Sequence, residues 1–158
     1  MTLSTESALE TARRICTDGI TLTAQNLHEE ALLRYDAVLE QFGLRRKIEF
    51  TQVLTTAMYN KGVILGTLER SEESIAAYDV LINRFAKNTE LVIALSVARA
   101  MRNKAYRLNV LEQSDKSIAT YEAMIAQFGG NADPEIESTV TPVKAFLAER
   151  QAVLDTRK

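Results

Sequence analysis

The chain has very little cysteine, histidine, proline and glycine, and it has no tryptophan. Its 158 residues include one Cys, one His, two Pro and six Gly. One cysteine excludes an internal disulfide and is typical of a reducing compartment. One histidine leaves too few imidazoles for the common zinc sites. The few glycines and prolines leave little material for phosphate-binding loops or a turn-rich β fold.

The sequence also lacks an excess of one charge and any long apolar run. Nineteen basic and 21 acidic residues give a net charge of −2, too balanced for non-specific binding to nucleic acid or an anionic membrane. The densest apolar run, residues 91–98, contains a serine and is far shorter than the roughly 18 residues of a membrane span. The first residues do not have the pattern of a secretory signal. We therefore expect a cytoplasmic protein with no nucleic-acid or membrane partner.

What the sequence does contain is an internal repeat of 43 residues. Two aromatic positions recur at this spacing: Tyr35, Tyr78 and Tyr121, and Phe42, Phe85 and Phe128. Residues 69–85 and 112–128 are identical at eight of 17 positions, and no insertion or deletion interrupts the alignment. A fixed period of this length is typical of stacked repeats of one supersecondary unit.

Each repeat is predicted to form two helices. In residues 71–85 the apolar residues follow a helical period: Ile75, Tyr78, Leu81, Ile82 and Phe85. The first helix of each unit is longer, at about 5–24, 47–68 and 90–111. The predicted units are about 4–43, 46–86 and 89–129, followed by a capping helix at about 133–156. Together they predict a single all-α domain with seven helices.

Several residues indicate how these helices begin, end and pack. Ser71 and Ser114 precede acidic residues, as N-caps do, and Gly43 and Gly129–Gly130 follow second helices, as left-handed C-caps do. A small residue recurs within the first helices, at Gly19, Gly62 and Ala105, which predicts a close helix crossing.

The last helix has its own features. Pro142 predicts a kink or a break in it. Its apolar side is expected to face the core: Ile136, Val140, Val143, Leu147 and Leu154. The charged residues after position 147 suit a polar outer cap.

Residues 57–85 resemble the signature of the tetratricopeptide repeat family. Gly62 and Ser74 take the small positions, Tyr78 takes the aromatic one, and Tyr59 and Asn60 form an aromatic–Asn pair. The usual repeat is about 34 residues, so this chain resembles a long-repeat, bacterial-type variant. The resemblance implies a right-handed α-solenoid of three helix-turn-helix repeats with a C-terminal capping helix.

The resemblance also implies a non-catalytic adaptor or scaffold that binds a peptide or helix of a partner protein in a concave groove lined by the first helices. The groove residues that it implies are Arg13, Cys16 and Ile20, then Thr56, Tyr59, Asn60 and Val63, then Arg99, Arg102, Asn103 and Tyr106. The last four share one helix face, whose two guanidinium groups suit a carboxylate. We therefore expect an acidic or C-terminal segment as the ligand. The family's clamp for a C-terminal carboxylate is only partly matched, because Cys16, Ile20 and Asn103 depart from it.

Alternatives remain for individual residues and for the function. The repeated tyrosines are interpreted as core rather than as a stack for bases, and Cys16 as structural rather than redox-active. The Arg99–Tyr106 face is either a ligand surface or a solvated face. No nucleotide, metalloprotease or hydrolase motif is present, so we expect no enzyme, metal or cofactor. Self-association, as a homodimer or an end-to-end stack, is the main alternative, favoured if apolar residues of the last helix are exposed. A regulatory subunit of a neighbouring enzyme is another.

Overall fold

The computed structural model describes residues 4–45 and 47–156, and within these ranges the chain is entirely helical. It forms seven α-helices and one 3₁₀ turn (Ile48–Phe50), with no strand. The helices are α1 (Thr5–Ala24), α2 (His28–Phe42), α3 (Thr51–Thr67), α4 (Ser71–Phe85), α5 (Leu91–Val110), α6 (Ser114–Phe128) and α7 (Pro134–Asp155). The prediction of an all-α chain with seven helices is confirmed. The predicted start of the second unit, at residue 46, lies outside the described residues.

Every helix packs against the next one along the chain. In addition, α1 packs against α3, α3 against α5, and α5 against α7. The first helices of successive units therefore lie side by side, and one continuous apolar core runs between them and the second helices.

The recurring small residue makes room for the tyrosine of the same unit. A Cβ atom on Gly62 would lie 2.5 Å from Cε1 of Tyr78, and one on Gly19 would lie 2.8 Å from Cε1 of Tyr35. The hydroxyl of Ser74 donates to the carbonyl of Gly62 at 2.7 Å. The close helix crossing predicted at this position is thus a contact between the helix backbone and a tyrosine ring.

The turn between the two helices of a unit places one residue in the left-handed region. These residues are Asn26, Glu69 and Glu112, with φ of 59°, 61° and 58°, and each is one repeat from the next. The left-handed caps predicted at Gly43 and Gly129 are wrong, because φ is −57° at Gly43 and −65° at Gly129.

The second helices end without a left-handed cap because the next unit satisfies their last carbonyls. Three side chains donate to these carbonyls, each at 2.6 Å: Arg84 to Gly43, Gln127 to Ala86, and Lys144 to Gly129. The C-terminus of a helix leaves carbonyls without an intrahelical partner, and here these bonds tie neighbouring units together.

The N-caps predicted at Ser71 and Ser114 are also wrong. These serines are the first residues of α4 and α6, and neither helix has a side-chain cap. At α4 the amide of Ser71 donates to the carbonyl of Glu69 at 2.9 Å, so the left-handed turn leads directly into the helix at Ser71. Side-chain caps do occur on α7, where Asp133 accepts from the backbone, and on α1.

The last helix is continuous through Pro142, so the predicted break does not occur. Pro142 lies on the exposed side, while Ile136, Val140 and Val143 are buried. Leu154, which was expected to face the core, is 45% exposed. Its position corresponds to Leu111, one residue beyond the end of α5, so α5 does not extend far enough to cover it.

Candidate partner-binding surface

The sequence-predicted site residues lie on three of the four helices that pack side by side. We call their shared face the first-helix surface and define it by three rows. These rows are Arg13, Cys16 and Ile20 on α1; Thr56, Tyr59, Asn60 and Val63 on α3; and Arg99, Arg102, Asn103 and Tyr106 on α5. Because α3 packs against both α1 and α5, the three rows are neighbours, although their side chains differ widely in exposure.

The N-terminal end of this surface contains a cleft of about 260 Å³ between α1 and α3. Four predicted residues line it: Arg13, Cys16, Ile20 and Thr56. Sequence reasoning missed four further lining residues: Thr17, Glu49, Gln52 and Val53. The cleft thus combines an exposed apolar residue, Ile20, with one basic and one acidic side chain.

Cys16 lies at the base of this cleft and is buried, with its Sγ 4.0 Å from the carbonyl oxygen of Val53. Burial raises the pKa of the Cys16 thiol to about 11. Since the thiolate is the reactive form of cysteine, this environment suppresses thiol chemistry at neutral pH and supports a packing role.

The centre of the surface is closed by hydrogen bonds. The amide nitrogen of Asn103 donates to the hydroxyl of Tyr78 at 3.2 Å and to that of Tyr59 at 3.4 Å. Burial raises the pKa of Tyr78, and the bond from Asn103 partly opposes that increase. Asn103 and Tyr59 therefore help to hold α3, α4 and α5 together, and their polar groups are partly engaged before any ligand arrives.

The C-terminal end of the surface is more open and carries basic and aromatic groups. Arg99 lies 3.6 Å from a carboxylate oxygen of Glu135. Arg102 is half-buried and forms no ion pair with any described residue. Tyr106 is 55% exposed, and the guanidinium of Arg107 lies over its ring at 5.2 Å.

Two aromatic residues that sequence reasoning did not assign to the site complete this end. Tyr121 and Phe146 pack edge to face with ring centroids 5.6 Å apart, and Phe146 is 45% exposed. Burial raises the pKa of Tyr121, while the nearby charge of Arg102 lowers it and Tyr106 raises it slightly. We define the C-terminal aromatic patch as Arg102, Tyr106, Tyr121 and Phe146. Phe146 occupies the repeat position of Asn60 and Asn103, which is the signal that could have revealed it.

A second kind of cleft lies between successive second helices. One, of about 470 Å³, is bordered by α4, α5 and α6 and contains the ion pair of Lys104 with Asp79. One repeat earlier, Lys61 and Asp36 form the same pair. In each of these two clefts the lysine and the aspartate neutralise each other. We therefore interpret the clefts as packing contacts between successive units.

The part of the chain that the structure describes has neither a metal-binding cluster nor a helix able to span a membrane. There, no group of three or more His, Cys, Asp and Glu side chains is placed to hold a metal ion. No helix of residues 4–45 or 47–156 combines the length and apolar character needed to cross a bilayer. No protein-family model matches the chain, and a search of curated proteins finds no match.

Proposed function

We propose that this protein is a non-catalytic adaptor with a tetratricopeptide-like, right-handed solenoid, and that its first-helix surface binds an acidic segment of a partner protein. The observation that carries the proposal is the guanidinium of Arg102, which has no carboxylate partner among residues 4–45 and 47–156, on a surface that also exposes aromatic rings. A half-buried cation without a carboxylate and exposed aromatic residues are both features of binding surfaces.

The repeat geometry supports a groove that exists before the partner binds. Asn103 and Tyr59 are already hydrogen-bonded within the surface, so their rotamers are fixed in advance. A ligand that meets fixed side chains loses less free energy to ordering the receptor. Tyr59 and Val63, both half-buried, would supply apolar contact, while Arg99 and Arg102 would orient the acidic part of the segment.

Self-association is the second candidate function, and a specific observation favours it. Val153 and Leu154 are 50% and 45% exposed near the end of α7. Exposed apolar side chains at one end of a repeat stack are able to pair with a second copy. The buried positions of Ile136, Val140 and Val143 in the same helix do not contribute to such an interface.

The adaptor proposal is tested with a peptide selected against the intact chain from a random 12-residue display library. Binding of that peptide is then measured by calorimetry for the wild type and for the Arg99→Ala/Arg102→Ala double variant. We expect affinity to fall by at least about tenfold, because charge-assisted bonds to a carboxylate contribute on the order of 1.5–3 kcal/mol.

The matched control is Arg34→Ala/Lys87→Ala, which removes the same charge from exposed residues outside the first-helix surface. It should leave the affinity unchanged. Equal affinity of the Arg99/Arg102 variant and the wild type would refute the assignment of the surface. Light scattering over a hundredfold concentration range decides the second candidate: a mass of 17.6 kDa throughout excludes self-association, and a mass that rises to twice that value establishes it.

A further inference from the structure

We propose that the C-terminal aromatic patch recognises an aromatic side chain adjacent to a carboxylate in the partner's segment. This inference rests on the proposed function and deepens it by naming the chemistry that one part of the surface selects. The geometry behind it is the contact between the rings of Tyr121 and Phe146, together with Arg102 one helical turn before Tyr106 on α5 and close enough for its charge to act on Tyr121. Tyr106 and Phe146 are both exposed.

The rings of the patch are arranged to receive another aromatic group. Tyr121 and Phe146 meet edge to face, at an interplanar angle of 63°, which leaves part of each ring open because Tyr121 is half-buried and Phe146 is 45% exposed. Aromatic pairs favour such edge-to-face and offset contacts. In the preceding units the corresponding tyrosines, Tyr35 and Tyr78, are almost fully buried, so this opening is specific to the C-terminal end.

One of the three guanidinium groups around the patch is available for a ligand. Arg99 is paired with Glu135, and Arg107 is stacked on Tyr106. Arg102 has neither kind of partner among the described residues. One available guanidinium, with its fork of donors, suits one carboxylate. The ligand is therefore an aromatic residue with a single acidic neighbour rather than a long acidic run.

A single-stranded nucleic acid is the other ligand class that arginine and aromatic residues can bind. Such binding requires several phosphate contacts, whereas here one of three guanidinium groups is already neutralised by Glu135. The net charge of −2 also opposes it. The observations therefore favour a protein segment, and an RNA probe is included in the test.

The probe is the dipeptide acetyl-Phe-Asp-amide, titrated into the intact ¹⁵N-labelled chain and followed by chemical-shift changes. Two matched probes remove one group each: acetyl-Phe-Asn-amide lacks the carboxylate, and acetyl-Ala-Asp-amide lacks the ring. We expect millimolar affinity for the first probe, with shifts centred on Tyr106, Tyr121 and Phe146, and at least about fivefold weaker binding of each of the others.

Two variants locate the binding. Arg102→Gln should weaken binding of the Phe-Asp probe at least about fivefold while leaving the Phe-Asn probe unchanged. Phe146→Ala should weaken both probes that contain Phe. Val153→Ala, at an exposed apolar residue of the same helix, and Arg34→Gln, at an exposed arginine outside the first-helix surface, are the controls and should change nothing. Because Arg102 forms no hydrogen bond or ion pair with the described residues that its substitution would remove, the Arg102→Gln variant keeps the test valid if Phe146→Ala reduces stability.

The inference is overturned if the three dipeptides bind equally, or if the shifts map elsewhere. It is also overturned if a ten-residue oligouridylate binds more tightly than the dipeptide and displaces it. Its failure is separable from that of the proposed function. If the selected 12-residue peptide loses affinity with Arg99→Ala/Arg102→Ala but not with Phe146→Ala, the adaptor proposal stands and the aromatic recognition is wrong.

Discussion

The helices α5 and α7 occupy equivalent places one repeat apart, and their surroundings differ. Among the described elements, α5 packs against four helices and α7 against two. Five positions that are buried in α5 are Ala94, Leu95, Ala98, Met101 and Leu108; their exposed equivalents in α7 are Glu137, Ser138, Thr141, Lys144 and Gln151. The repeat thus determines where a helix lies. Whether a position on that helix is apolar or polar depends on whether a neighbouring helix covers it.

The same contrast separates the tyrosines of the middle and of the C-terminal end. Tyr78 is 1% exposed, packs on Gly62 and accepts a hydrogen bond from Asn103. Tyr121, at the same position of the next unit, is half-buried and meets Phe146 instead of an asparagine. In the middle of the molecule this position holds helices together, whereas at the C-terminal end it leaves part of an aromatic surface exposed, where we propose that a ligand binds.

The largest loss of stability is expected when the side chains of two repeat-equivalent residues are exchanged, Met101 of α5 and Lys144 of α7. Met101→Lys puts a charge without a partner where the side chain is 6% exposed, and should lower the free energy of unfolding by about 3 kcal/mol or more. Lys144→Met loses only its exposed bond to the carbonyl of Gly129 and should cost about 1 kcal/mol or less. Urea denaturation measures both; equal losses would show that the register comparison is wrong.

A smaller effect is expected where Gly62 meets Tyr78. An added methyl group would lie 2.5 Å from the ring, so Gly62→Ala should destabilise the protein by about 2 kcal/mol despite the higher helix propensity of alanine. The matched change one repeat later, Ala105→Gly, should cost about 1–2 kcal/mol, from the lower helix propensity of glycine and the loss of a fully buried methyl group. Thermal unfolding of the two variants tests this, and a stabilised Gly62→Ala protein would contradict the close contact.

The hydroxyl of Tyr78 provides a still smaller effect. Tyr78→Phe leaves the amide of Asn103 without its 3.2 Å partner and should cost about 1 kcal/mol. Tyr121 has no side-chain hydrogen bond among the described residues, so Tyr121→Phe should change stability by less than about 0.5 kcal/mol. Chemical denaturation at pH 7 distinguishes the two variants, and a larger loss at Tyr121 would reverse the comparison.

The same hydroxyl gives a pH dependence with a definite sign. Burial raises the pKa of Tyr78 above its ordinary value of 10.0, so folding favours the neutral phenol. This contribution to stability is complete below pH 10 and is lost as the pH rises through the folded-state pKa. Above pH 10 the free energy of unfolding of the wild type should therefore decline more steeply than that of Tyr78→Phe.

Much of the fold could be predicted because local pattern and burial agree. The helical period of the apolar residues in 71–85 predicts which face of the helix is buried. The recurrence of Tyr35 and Tyr78 predicts that both lie in the core. The left-handed residues could not be predicted in the same way, because Glu69 and Glu112 are not types that favour that conformation. Their backbone is imposed by the packing of the two helices they join.

In the same way, one part of the candidate site could be predicted from the sequence and another part could not. Arg99, Arg102, Asn103 and Tyr106 share one helix face, so their spacing alone places them together. Tyr121 and Phe146 come from two other helices, and their contact depends on how α6 and α7 pack. The 43-residue repeat could have predicted this contact, because Phe146 lies one repeat after Asn103, which donates a hydrogen bond to Tyr78.

The prediction with the smallest expected effect on stability concerns the reactivity of the Cys16 thiol. Cys16 occupies the repeat position of Arg102, and the two residues differ sharply in exposure along the first-helix surface. With its pKa raised to about 11 from an ordinary 9.0, the folded protein should hold about 100-fold less thiolate at pH 8 than the urea-unfolded chain. Alkylation by iodoacetamide, followed by mass spectrometry, should be slower by at least that factor in the folded state. Equal rates would mean that the cleft between α1 and α3 opens readily. The N-terminal end of the surface would then be as accessible as the C-terminal end, where Arg102 is half-exposed.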